Sequence, residues 1–144
     1  AQGRSGNILR CFCMRLMHLG YESYFVGDTI TPPVGPGDVA FLLSGTGATR
    51  FTVETARIAR KHGARTCGIV GTNDSALEKA LDTIVMVPGG SRADGTRGEA
   101  WSVQPAGSVF EQAAFLLLEA IVLELYRRQG SDTKALLDRH ANLE

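Results

Sequence analysis

The sequence predicts an α/β protein built on a parallel, doubly wound sheet. Three observations carry this. Strand-like and helix-like runs alternate along the chain, the order of consecutive βα units. The run VAFLLS, Val39 to Ser44, is continuously apolar, as a parallel strand covered on both faces must be. Two small-residue turns, GRSG (Gly3 to Gly6) and SGTG (Ser44 to Gly47), each run straight into a helical pattern.

Taken in order, the first helix opens at GRSG and continues to Leu19, with Gly20 as its stop. Ser23 to Gly27 reads as a short strand, and the Pro/Gly-rich stretch after it as a loop. The buried strand at Val39 to Ser44 is followed by a helix from about Thr49 to His62, ended by Gly63. RTCGIVG is the next strand, DSALEKAL a short helix with an Asp cap signal, and TIVMVP the last strand. Residues 89 to 105 read as a Gly-rich loop, with Trp101 as an anchor near its end. A long helix from about Gly107 to Arg128 and a short one from about Asp132 to Arg139 complete the chain. Only Ala1 and Gln2 precede GRSG, so a central first strand is expected upstream of the residues given.

The totals exclude several classes. At 144 residues the chain suits one domain, spanning 1–144. Fifteen basic residues balance fifteen acidic ones, which argues against an electrostatic nucleic-acid binder. No apolar run approaches the roughly 20 residues that span a bilayer, and no secretory signal is visible. Cys11, Cys13 and Cys67 have neither zinc nor redox spacing, so all three are expected to be reduced and buried, as in a cytoplasmic protein.

The two turns carry the functional signal. Gly45 and Gly47 let backbone N–H groups approach a ligand, Ser44, Thr46 and Thr49 add hydroxyls, and the helix start behind them adds open donors and partial positive charge. The P-loop lysine and the third glycine of a dinucleotide fingerprint are both absent, so a phosphomonoester suits the turn better than a nucleotide. A Ser/Thr-capped helix after a tight turn explains the same residues without a ligand. GRSG repeats the logic, with Ser5 as hydroxyl, Arg4 as cation and Gly3 and Gly6 allowing approach. Both turns belong on the carboxyl edge of the sheet, where open α/β folds bind ligands.

SGTGAT resembles the phosphosugar loop of SIS (sugar isomerase) domains. Together with GRSG, MRLMHLG, VGDTITPP, QPAGSVFEQ and the terminal HANLE, the whole chain resembles the 6-phospho-3-hexuloisomerases of that family. The resemblance implies a three-layer SIS domain with a five-stranded parallel, flavodoxin-like sheet, its first strand missing from this chain. It also implies isomerisation of 3-hexulose 6-phosphate and fructose 6-phosphate in the ribulose monophosphate pathway of formaldehyde fixation, no metal or organic cofactor, and a homotetramer. Three departures stand out: Ala48 where the family's loop usually has Glu, Asp28 where Glu is common, and the absent N-terminal helix and strand.

Moving a carbonyl between adjacent carbons needs a base that takes a proton from one carbon and returns it to the other. The family's proposed catalytic glutamate matches Glu111, whose neighbours Val109, Phe110, Ala113 and Ala114 would desolvate a carboxylate. On the residues alone, a first-turn glutamate complementing the helix dipole is the better account of the position. His18 is the second catalytic candidate. It lies on the stripe Asn7, Cys11, Arg15, His18, opposite the apolar stripe Ile8, Phe12, Leu16, Leu19, so it is expected to face away from the core. Roughly 18 Å of helix separates it from the Gly6 turn, so it would serve a neighbouring subunit's site or simply line an interface. Gly3, Arg4 and His140 are candidate substrate contacts, His140 with an interface role as alternative, and His62 reads as an exposed helix-end residue. The last long helix, apolar on nearly every side, predicts an oligomeric interface. A non-catalytic sugar-phosphate-binding regulatory module, or another aldose–ketose isomerase of this fold, are the competing functional readings.

Overall fold

The computed structural model describes residues 1–89 and 102–143. The expected loop over 89–105, and Trp101 with it, falls largely outside them. The elements are α1 (Gly3–His18), β1 (Val39–Ser44), α2 (Arg50–Lys61), β2 (Arg65–Val70), β3 (Thr83–Met86), α3 (Ser108–Arg128) and α4 (Thr133–Leu137). The three strands form a parallel sheet in the order β1-β2-β3.

Neighbouring residues of the central strands point to opposite faces, which is why their sequence is apolar without alternation. Leu43 and Ile69 face one side, where Leu9 and Phe12 of α1 and Phe110, Ala114 and Leu118 of α3 cover them. Leu42 and Val70 face the other, under Val53 and Ala56 of α2 and Leu77 to Leu81. The result is three layers, with α1 and α3 on one side of the sheet and α2 on the other. β1 and β2 come so close at the Leu42–Gly68 pair that a Cβ on Gly68 would lie 2.3 Å from the Leu42 carbonyl oxygen. Among the described residues β1 is paired on one side only, and its open edge is where the expected first strand would lie.

Two expected elements are not there. Ser23 to Gly27 joins no ladder of the three-stranded sheet, and local side-chain contacts hold the segment. The Thr31 hydroxyl lies 2.9 and 2.8 Å from the carbonyl oxygens of Phe25 and Asp28. Arg10 stacks 3.9 Å over the Phe25 ring and grips the Asp28 carboxylate with two bonds of 3.0 and 2.7 Å. The helix expected over DSALEKAL shrinks to one 3₁₀ turn at Glu78–Ala80. Asp74 is left-handed (φ 56°), and Leu77 donates its N–H to the Gly47 carbonyl at 2.8 Å rather than to its own preceding turn.

The cysteines also depart from expectation. All three are free, but Cys11 is exposed on α1 and Cys13 and Cys67 are only half-buried. Along α3, Phe110, Ala114 and Leu118 are buried at four-residue spacing, while Phe115, Leu116 and Leu123 on its other sides are exposed.

Candidate active site

One cleft gathers most of the predicted site residues at the carboxyl edge of β1. Ser44, Gly45, Thr46 and Thr49 form one wall, Ser5 a second, and Glu111 a third. Gln2, Leu43, Gly107 and Phe110 complete the lining.

The loop after β1 is held from inside. Ser44, itself buried, accepts the Gly47 N–H on its hydroxyl at 3.0 Å and lies 3.3 Å from the Thr49 hydroxyl. Thr46 accepts the Ala48 N–H at 3.2 Å, and Thr72 donates to the Gly45 carbonyl at 2.9 Å. Gly47 takes φ +61° directly over Ser75, where an added Cβ would meet the serine side chain at 2.2 Å. Only glycine fits there, on both conformational and steric grounds.

Helix starts then supply the donors. α1, α2 and α3 all begin at the cleft, at Gln2, Thr49 and Gly107, and no side chain caps any of them. The first main-chain bonds entering the helices are made by Gly6, Val53 and Glu111, so the first-turn N–H groups before those have no helical partner, Ser108 turning back to the Pro105 carbonyl at 3.0 Å. α4, which starts elsewhere, is capped in the ordinary way, Asp132 accepting the Ala135 N–H at 2.9 Å. Three open helix starts around one loop concentrate donors and partial positive charge where an anion can take them.

Glu111 stands in the first turn of α3, its side chain largely covered. Its surroundings are not purely apolar as expected: Arg4 donates Nε–H to Oε2 at 2.6 Å. No sequence spacing announces this pair, which joins residues 107 apart. Gln2, Gly107 and Phe110 were not foreseen as site residues. Gly107 had a signal, a glycine before Ser at a helix start. Phe110 had none, since its part is to floor the cleft beneath Gly45.

His18 and His140 lie outside the cleft, at the opposite end of α1. His18 is covered rather than facing solvent: it is 4% exposed. The chain after α4 folds over it, the His140 ring stacking at 3.9 Å and Arg139 donating to the His18 carbonyl at 3.3 Å. Burial, then the His140 ring and Arg15, push the His18 imidazole below its ordinary pKa, and its Nδ1 has no partner among the described residues.

Comparison with known proteins places the chain in a family. The SIS domain family model matches residues 1–116. The 3-hexulose-6-phosphate isomerase of Bacillus subtilis (strain 168) is 37% identical over 142 residues, covering 99% of this chain and 76% of that protein. The enzyme of that name from Mycobacterium gastri is 40% identical, covering 99% and 70%. A solved structure from Methanococcus jannaschii, for which the function of 3-hexulose-6-phosphate isomerase has been inferred, superposes with a TM-score of 0.84 at 33% identity, covering 100% of this chain and 76% of that one. The family model and these relatives together show that the chain belongs to the SIS domain family, in the company of the 3-hexulose-6-phosphate isomerases.

Proposed function

We propose that this chain is a phosphosugar isomerase that interconverts D-arabino-3-hexulose 6-phosphate and D-fructose 6-phosphate, a reading supported by relatives that bear the name 3-hexulose-6-phosphate isomerase. The observation that carries the reading is the meeting of Glu111 with the hydroxyl loop Ser44–Thr49 in a cleft ringed by three uncapped helix starts. The loop and the helix starts bind the phosphate dianion through N–H and hydroxyl donors. Gly47 and Ser44 hold the loop in shape, Gly45, Thr46 and Thr49 offer donors, and Ser5 closes the cradle from α1 with Gly3 beside it.

With the phosphate fixed, the sugar extends toward Glu111. Its carboxylate takes the proton from C2, leaving an enediolate across C2 and C3, and the same carboxylate returns that proton to C3. The oxygens exchange roles in step: the C3 oxygen gains a proton and the C2 oxygen gives one up to become the carbonyl. One carboxylate serves both transfers because the carbons are adjacent.

The exposed apolar side chains Phe115, Leu116 and Leu123 of α3 support assembly into a homo-oligomer, which we take to be a tetramer. His140, exposed and remote from this cleft, would serve the cleft of a neighbouring copy, whereas His18 is covered beneath the His140 ring. The place of the reaction is the ribulose monophosphate route of formaldehyde fixation.

The test is a coupled assay that supplies enzymatically generated hexulose 6-phosphate and follows fructose 6-phosphate. Wild type turns over, and Glu111→Gln loses on the order of 10³-fold in kcat with its fold intact. An inactive, properly assembled wild type that still binds sugar phosphate would leave a binding module as the better account.

A further inference from the structure

We infer that Arg4 is a positioning residue for Glu111, holding one carboxylate oxygen so that the other is the one presented to substrate; this rests on the isomerase reading above. Three features of the pair carry it.

The first is which atoms meet. Arg4 Nε–H donates to Oε2 alone, at 2.6 Å, a short charge-assisted bond. The other oxygen, Oε1, lies toward Gly107, 4.0 Å from where a Cβ on that glycine would stand. Gly107 is the uncapped start of α3 and lines the cleft. The two oxygens of one carboxylate are therefore not equivalent: one is tied down by Arg4, the other lies on the side of Gly107, a residue of the cleft's lining.

The second is exposure. The Arg4 side chain is 76% exposed and that of Glu111 14%. An ion pair with so exposed a partner contributes little to stability, so holding the fold together is a poor explanation of it. A long, mobile arginine closing onto a covered glutamate does, however, remove torsional freedom from the glutamate.

The third is position. Ser5 and Glu111 line the cleft, while Arg4, next to one and bonded to the other, does not. It reaches the chemistry through Glu111 instead. A base that carries one proton between adjacent carbons needs the same oxygen close to both, which is the restraint a single fixed hydrogen bond on the opposite oxygen provides.

The experiment compares wild type, Arg4→Ala and Arg4→Lys in the coupled assay, with inorganic phosphate as competitor and its binding measured separately by calorimetry. Arg4 is exposed, so the variants fold. Arg4→Ala should lose about a hundredfold in kcat, while KM and the phosphate Kd stay within about twofold of wild type. Arg4→Lys should recover part of that loss, and so should added methylguanidinium with Arg4→Ala. With substrate deuterated at C2, the share of label appearing at C3 of the product should fall in Arg4→Ala, because a loosely held carboxylate exchanges with water before it redelivers. An unchanged kcat would overturn the inference. So would a tenfold rise in KM and in phosphate Kd at unchanged kcat, the mark of a direct phosphate contact; either result leaves the isomerase reading standing. An inactive wild type would instead remove that reading, and this role with it.

Discussion

The two ends of α1 are finished in opposite ways. At Gly3 the helix begins without a side-chain cap and opens onto the cleft beside Ser5. At His18 it is shut: Leu19 and Gly20 fold their N–H groups back to Arg15 and Met17 at 3.0 and 2.8 Å, Arg139 takes the His18 carbonyl, and His140 lies over the ring. The protein satisfies its own backbone at one end and leaves it unsatisfied at the other. Unmet donors, more than formal charge, mark the end built for a ligand.

The sharpest way to break the open end is to spoil the loop that faces it. Gly47→Ala would set a Cβ 2.2 Å from the Ser75 hydroxyl oxygen and 2.3 Å from its Cβ, at a φ that L-residues avoid. Overpacking and left-handed strain together should cost about 3 kcal/mol, and phosphate binding should be lost. Urea unfolding and phosphate titration of this variant would test it; wild-type affinity would mean the loop's shape is not what binds.

The closed end should respond to acid instead. Folding holds His18 below its ordinary pKa of about 6.5, so the unfolded chain takes up the proton first. His18's contribution is therefore intact above that value and is lost as pH falls from there through the lowered folded value. Protonation would also set a charge among Arg15, Arg139 and the stacked His140. Unfolding at pH 7.5 and 5.5 should show an acid-dependent loss in wild type that is smaller in His18→Asn; equal losses in both would discard the assignment.

The smallest effect is expected where charge is plentiful and donors are not converging. Arg57, Arg60, Lys61 and Lys79 line a cleft of about 340 Å³, larger than the roughly 140 Å³ beside Glu111. Arg60 is paired with Asp82 at 3.2 Å and Arg57 with Glu54 at 3.6 Å. Replacing Lys61 and Lys79 by alanine should move stability by no more than about 0.5 kcal/mol and leave phosphate affinity within about twofold. A large loss of phosphate binding would shift the anion site there and undo the comparison.

What could be read in advance follows the range of each interaction. β1 and β2 were legible because a strand covered on both faces must be apolar throughout, and VAFLLS is. The loop was legible because its residue types state their chemistry locally, whereas Glu111 stood out only through the family resemblance, since a first-turn glutamate also suits the helix dipole. The segment after Asp74 was not, since its helical pattern competes with Gly47, whose carbonyl claims the Leu77 N–H across the fold. His18 misled for a related reason: the stripes of α1 describe that helix alone and say nothing of Arg139 and His140 arriving from the far end of the chain. The Arg4–Glu111 pair belongs to the same class, a contact made only once α1 and α3 are packed on one side of the sheet.

The close approach at Gly68 has a consequence for how this sequence can vary. A single base change in a glycine codon leads, apart from glycine itself or a stop, only to Ala, Val, Asp, Glu, Ser, Cys, Arg or Trp, and all of them carry a Cβ. Each would drive that atom to 2.3 Å from a main-chain oxygen in the middle of the sheet, where no rotamer change can relieve it. Position 68 therefore has no viable single-step neighbour in codon space, and in a library of random variants it should stand out as a column occupied by one residue, with no part in the chemistry.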